Sequence, residues 1–269
     1  MRVIVRWTYL QAHIPGADQQ LASFKRVLRA ARHTRRYFPL LECAGLGTAE
    51  AIASIHSVEE ILKLLPPIEF EEFRSFPDAF ESPARSRPRL QAFCSPFEHT
   101  SKTTILAAGF EPTSTIRALG ENSHSRIQHF AADALAAPVG VLRKLAAGIQ
   151  NGTHVLRPLK HFVVSFTGGH EGELNDADRE QFWRIFQVPV FEQRRGFDGR
   201  VIAYECEAHS GLHLMPEHAM FEATADSEIL LTSLTALRYP TLRVGTRLQA
   251  SILHDCCDCG NAVPRLVAA

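Results

Sequence analysis

The chain has 269 residues, enough for one large α/β domain or two smaller ones with a buried core. Hydrophobic residues are 45% and charged residues 22%, and 29 cations match 29 anions, so bulk charge points to neither nucleic acid nor an anionic membrane. No stretch approaches the roughly 18 uninterrupted apolar residues of a membrane span, and the N-terminus lacks the apolar core and cleavage site of a leader, so a cytoplasmic protein is expected.

In chain order, residues 18–38 (DQQLASFKRVLRAARHTRRYF) read as an amphipathic helix capped by Asp18, with Leu21, Phe24, Leu28 and Ala31 at helical spacing. Its Arg-rich face reads as solvated. GTAEAIASIHSVEEILKLLP adds two short helices stopped by Pro66 and Pro67. Residues 74–100 carry Pro77, Pro83, Pro88 and Pro96 and read as a loop, so residues 1–99 form a helical N-terminal segment ending in a Pro-rich loop. TTILAAGF (103–110) reads as a buried strand. SRIQHFAADALAAPVGVLRKLAAGI reads as two helices broken at Pro138. HFVVSFTGG (161–169) is a buried strand leading into a Gly turn, NDADREQFWRIFQV a helix capped by Asn175, and PVFEQ a further strand. This alternation implies an α/β core over 100–199, with parallel strands and helices on the faces. Beyond residue 200 the texture is β-rich: RVIAYECEA, AMFEA, EILLTSL and TLRVGTRLQASIL read as strands joined by short turns. Trp7 and Trp183 read as packing residues, and Cys43 and Cys94 as buried free thiols.

Three of the six cysteines, Cys256, Cys257 and Cys259, crowd into LHDCCDCGNAVPRL. In a reducing compartment clustered thiols point to metal or redox chemistry. A structural zinc needs four ligands in a tetrahedron. Cys257 and Cys259 supply two from one tight turn, and YECEAHSGLHLMPEH offers Cys206 and His213 for the others. Cys256 can replace Cys257, and His254 or His209 can replace His213. A redox couple and free thiols remain open as readings of the same spacing.

Three segments carry a family resemblance: VIAYECEAHSGLHLMPEHAMFEA, ILLTSLTALRYPTLRVGTRL and CDCGNAVPRL, in that order and spacing. Together they resemble the phenylacetate–CoA ligase branch of the adenylate-forming (acyl-CoA synthetase and luciferase) superfamily. LRAARHTRRYFPLLECAGL, IHSVEEILKLLPPI and LKHFVVSFTGG add weaker matches. The resemblance implies a reduced N-terminal domain of such an enzyme, with a β-rich, zinc-bearing subdomain over 200–269. It implies a structural zinc on Cys206, His213, Cys257 and Cys259, and often a homodimer.

The departures from that pattern bear on activity. The family activates a carboxylate with ATP and passes the acyl group to CoA. Its Gly-rich phosphate loop has its nearest remnant in CSPFEHTSKTTI (94–105), where Thr100, Ser101, Lys102, Thr103 and Thr104 stand without a glycine. Arg195 of RRGFDG stands where the adenine-stacking tyrosine is expected, and Asp198 is a displaced acid. In RVGTRL, Arg243 and Thr246 survive as cofactor-binding candidates, but Leu248 replaces the ribose-binding Asp. The chain stops at Ala269, so the mobile lid domain with its catalytic lysine is expected to be absent, and only 5 of the 29 cations are lysines. ATP and Mg binding are therefore not expected.

Three functions follow as expectations. The first is a degenerate ligase-like protein that binds an acyl group, an acyl-CoA or a partner protein. The second is an acyl transferase or hydrolase, or an acyl-CoA ligase with altered chemistry. It would use His170, Glu171 and Asp198, with Glu192 and His209 as further groups and the Gly168–Gly169 turn offering N–H donors to an anion. The third is one half of a split ligase. No nucleic acid or membrane partner is expected.

Overall fold

The structure, a computed structural model, describes residues 16–84, 90–97, 101–120 and 132–268. Trp7, Thr100 and the 125–131 part of the expected helix lie outside the described residues. Among the described residues no helix is long and apolar enough to cross a membrane.

Among the described residues six helices come first: α1 (Ala17–Ala31), α2 (Tyr37–Cys43), α3 (Ala49–Ala53), α4 (Val58–Leu64), α5 (Phe70–Ser75) and α6 (Pro77–Phe80). The expected single helix over 18–38 is thus two. The Thr34 hydroxyl donates to the Ala31 carbonyl and accepts the Tyr37 N–H, closing one helix and opening the next. Gly16, not Asp18, is the N-cap. Asp18 lies inside the first turn, where its charge complements the helix dipole. Thr48 and Ser57 cap α3 and α4 through their side chains. Phe24, Leu28, Tyr37, Leu41, Ile52 and Phe80 form one core with Leu234, Leu242 and Val244 from the far end of the chain. The Tyr37 hydroxyl sits in this core, accepting the Leu242 N–H (3.0 Å) and donating to the Leu242 carbonyl (3.3 Å).

Among the described residues eleven strands form one sheet, in the order β2 (Ile116–Ala118), β1 (Thr103–Ile105), β3 (Ala134–Pro138), β4 (Phe162–Thr167), β5 (Val190–Arg195), β6 (Val201–Glu205), β7 (Leu212–Leu214), β11 (Arg265–Ala268), β10 (Val244–Leu253), β9 (Glu228–Ser233) and β8 (Ala219–Ala223). The parallel part comprises β1 (Thr103–Ile105), β2 (Ile116–Ala118), β3 (Ala134–Pro138), β4 (Phe162–Thr167) and β5 (Val190–Arg195). Alternating side chains serve opposite faces. Leu106, Leu135 and Val163 pack beneath α7 (Val139–Gln150) and α8 (Asp176–Phe186), whereas Phe110, Phe162, Phe166 and Phe191 build an aromatic core on the other side with Phe93 and Phe97. Both described crossover helices therefore cover the same face.

The Ala-rich segment 134–138, expected to be helical, is the strand β3 between β1 and β4. Alanine's helix preference is worth at most about 0.7 kcal/mol per residue. Burying Leu135 alone is worth about 2 kcal/mol, and every residue of β3 is buried. Pro138 ends the strand and leads directly into α7.

Asn175 caps α8 as expected, in a reciprocal capping box with Asp178. The Asp178 carboxyl is held below its usual range by the Arg143 guanidinium against the cost of burial. Asn175→Ala is expected to cost about 1 kcal/mol, a drop in Tm of about 2–4 °C in a melting curve. An unchanged Tm would show that the box contributes nothing.

The antiparallel part comprises β6 (Val201–Glu205), β7 (Leu212–Leu214), β8 (Ala219–Ala223), β9 (Glu228–Ser233), β10 (Val244–Leu253) and β11 (Arg265–Ala268). β10 pairs with β9 through its first half and with β11 through its second, bulging between Gly245 and Gln249. The short strands β2, β7 and β11 carry little of the period-2 signal that marks a strand in sequence.

Candidate metal centre and strand-end cleft

The four residues expected to bind metal meet in space. Cys206 follows β6, His213 lies at the middle of β7, and Cys257 and Cys259 sit on the turn between β10 and β11. Their ligand atoms all lie within 4.8 Å of one another. Cys206 Sγ is 3.7 Å from Cys257 Sγ, and Cys259 Sγ is 3.4 Å from His213 Nε2. Ligands at zinc distances of about 2.3 Å (S) and 2.1 Å (N) stand about 3.6–3.8 Å apart at tetrahedral corners, so the donor set fits a four-coordinate ion.

Two similar turns present the thiols. His209 N–H bonds to the Cys206 carbonyl and Gly260 N–H to the Cys257 carbonyl, with His209 and Gly260 both at positive φ. Each sulfur also accepts an amide two residues on, from Ala208, Cys259 and Asn261 respectively. Ser210 Oγ approaches Cys257 Sγ at 3.1 Å. His213 is fully buried, with Nδ1 3.3 Å from the Val263 carbonyl, a contact that turns Nε2 towards the thiols. Burial holds the imidazole below its usual pKa, and it raises the Cys206 and Cys259 thiols. Burial also works against Cys257 ionising, but bonds from Ser210 and the Cys259 amide outweigh it and bring that thiol down.

The alternative ligands point elsewhere. Cys256 and His254 are exposed. His209 Nδ1 contacts Glu205 Oε1 at 2.8 Å, and its ring stacks on Phe191. Glu205 is buried and shares Arg179 with Glu192, whose carboxyl burial pushes up. Cys43 is exposed, against expectation, because it ends the short α2 on the solvent side. Cys94 is half-buried, its thiol pushed up to about 12 by burial. Trp183, expected to pack, is 57% exposed on the outer side of α8.

The second site lies at the carboxyl ends of the parallel strands, where open α/β sheets bind ligands. Two hollows of about 340 and 450 Å³ share His170, Arg195 and Phe197. Arg195 is the centrepiece. Its guanidinium lies 5.4 and 5.3 Å from the Phe110 and Phe166 ring centres. It donates to the Gly199 and Ala108 carbonyls and to Glu171. Neighbouring Arg194 grips Glu173 with two bonds of 2.6 and 2.7 Å.

Gly168 and Gly169 both have positive φ. A Cβ on Gly168 would lie 2.9 Å from the Arg195 carbonyl oxygen, and one on Gly169 3.0 Å from that of Gly196. These glycines let the turn pack against the end of β5. The Gly168 N–H is spent on the Gly172 carbonyl. Asp198 accepts the Thr235 hydroxyl (2.6 Å) and the Arg200 N–H. Arg243 is tied to Glu222 and the Leu65 carbonyl, and the Thr246 hydroxyl donates to the Ile229 carbonyl at 2.7 Å. Thr103 and Thr104 of the expected phosphate-loop remnant are buried in β1. The chain at the carboxyl end of β1 is instead the stretch containing Ala108 and Gly109.

No family model and no curated protein matches the chain. Among solved structures, 2-hydroxyisobutyryl-CoA ligase in an open conformation with 2-HIB-AMP and CoA superposes with a TM-score of 0.63 at 13% identity, covering 93% of this chain and 68% of the ligase. The same ligase in its thioesterification state gives 0.62 at 12% identity, with 93% and 66% covered. The fold is that of an acyl-CoA ligase. This chain spans about two thirds of that ligase's length. Within this fold, the Cys206–His213–Cys257–Cys259 cluster is legible in the sequence, but the packing of Arg195 against the stacked rings of Phe110 and Phe166 is not. Those two rings lie 85 and 29 positions from it in the sequence, and only the parallel pairing of β1, β3, β4 and β5 brings them together.

Proposed function

We propose that this chain is a phenylacetate–CoA ligase-like protein, braced by a structural zinc, that binds an acyl group or acyl-CoA at its strand ends and forms no acyl-adenylate. The observation that carries the reading is Arg195. Held by two aromatic rings, two carbonyls and Glu171, it takes up the place where β5 would open onto a ligand. An adenylating site must present preorganised donors to phosphate. Here the donors of Arg194, Arg195 and Gly168 are bonded to the protein itself. Calorimetry is expected to show acyl-CoA binding and no magnesium-dependent binding of ATP or AMP. Tight binding of ATP with magnesium would sink the proposal.

Zinc at Cys206, His213, Cys257 and Cys259 would have four protein ligands, which leaves no position for water and makes its role structural. All six cysteines are free, in keeping with a cytoplasmic setting. With zinc bound, a thiol reagent is expected to label Cys43 and Cys256 quickly and Cys94 slowly. Cys206, Cys257 and Cys259 should react only after chelation. Immediate reaction of all six would speak against a bound metal.

A second reading, acyl transfer or hydrolysis, draws on His170, which lines both hollows with its ring 5.7 Å from that of Phe197. Glu171 is engaged by Arg195 and Asp198 by Thr235, so His170 is the group this reading leans on. Unchanged turnover of an acyl-CoA by His170→Ala would remove it.

A further inference from the structure

We infer that Arg265 is the internal counter-ion of the metal centre, neutralising the negative charge that three thiolates leave on a divalent cation. The inference rests on the zinc reading above. Three thiolates and one neutral imidazole around Zn²⁺ sum to −1. That charge sits where His213 is 0% exposed and Cys206 and Cys257 are each 3% exposed. An uncompensated charge so placed is strongly disfavoured, and a protein that buries one supplies a partner.

Arg265 is placed to be that partner. β7 and β11 are antiparallel, with His213 directly opposite Arg265, so the two side chains stand on the same face of the sheet. On the other side of His213, in the same row, is Tyr204, whose hydroxyl accepts from Asn261 of the cysteine turn. The Arg265 side chain is only 9% exposed. One ion-pair partner is visible: Asp255 Oδ2 lies 3.1 Å from a terminal guanidinium nitrogen, and the Asp255 carbonyl lies 3.5 Å from the other. Asp255 is 64% exposed, so water and salt screen most of its charge. Arg265 Nε is buried and has no acceptor among the described residues. A guanidinium kept this dry, with one donor unmatched and its anionic partner in solvent, is explained by a second, buried negative charge beside it.

The competing view is that Arg265 only fastens the Asp255 loop. Zinc affinity, measured by competition with a chromogenic chelator, separates the two. Arg265→Met, or the polar Arg265→Gln should Met not fold, is expected to weaken zinc binding at least tenfold, with Arg265→Lys restoring most of it. In a Cys259→His background the centre carries two thiolates and no net charge, and there the same change should cost under threefold. Asp255→Asn removes the loop tie but keeps the cation, so it should leave affinity unchanged or raise it. If Asp255→Asn weakens zinc as much as Arg265→Met does, or if Arg265→Met costs the same factor in both backgrounds, Arg265 is a structural tie and the inference fails. If the unaltered protein binds no zinc, the metal reading itself fails and takes this one with it.

Discussion

Cys257→Ser is expected to abolish stoichiometric zinc and to destabilise the protein by about 5 kcal/mol or more, a loss within the usual total stability of a domain. Cys257 is 3% exposed and touches Cys206 Sγ, Ser210 Oγ and the Cys259 amide, so its thiolate lies at the middle of the cluster. Its removal would take away one of four donors and leave the buried Cys206 and His213 and the half-buried Cys259 without a fourth. The damage should fall on β6, β7 and β11, which the cluster ties together. Cys256→Ser is the control. Its side chain is exposed, and its one hydrogen bond is a 3.6 Å contact to a carbonyl, so zinc content and stability should stay unchanged. His209→Ala and His254→Ala should likewise keep the metal. Metal analysis paired with urea unfolding reads all four. Zinc retained in Cys257→Ser, or lost in Cys256→Ser, would mean that the ligand set is wrong.

Arg195→Ala is expected to cost about 3–5 kcal/mol, because it takes the paired guanidinium away from the mostly buried Glu171 carboxylate. Loss of the stacking on Phe110 and Phe166 adds about 1 kcal/mol. The double variant Arg195→Ala with Glu171→Ala should recover part of that loss, since both charges of the pair are then removed together. A cost within about 0.5 kcal/mol, as for a surface residue, would show that Arg195 does not hold the strand ends together. The same variants test function. If Arg195 keeps nucleotides out, its removal enlarges the space between the two hollows and should raise whatever weak nucleotide binding the unaltered protein has.

The Cys–His cluster was legible in the sequence because Cys and His have few bland uses in such spacing, and because a C-x-C turn and a Cys–His hairpin can each be recognised alone. The strands VVSF and AYE were legible for a different reason: β-branched and aromatic residues in short runs fit little else. Residues 134–138 were not, because alanine's small helix preference points the other way and only the pairing of β3 with β1 and β4 decides their state. Trp183 and Cys43 misled because a residue's apolar character says nothing about which side of a helix faces the core. The surroundings of Arg243, Thr246 and Gly168 were beyond reach, since the groups that Arg243 and Thr246 bond to and the Arg195 carbonyl that Gly168 packs against lie on other strands or loops.

One feature of the helical core bears on how the chain is made. Tyr37 is bonded to Leu242, 205 positions later, and Phe24, Leu41 and Ile52 share their core with Leu234 and Val244. During synthesis the first helices leave the ribosome long before the residues that complete their packing exist. At about 5–20 residues per second, some 10–40 seconds pass with that apolar surface uncovered. Closing such distant contacts is slow. The nascent chain is therefore a natural client for a chaperone, and expression at lower temperature or with added chaperone should raise the soluble yield.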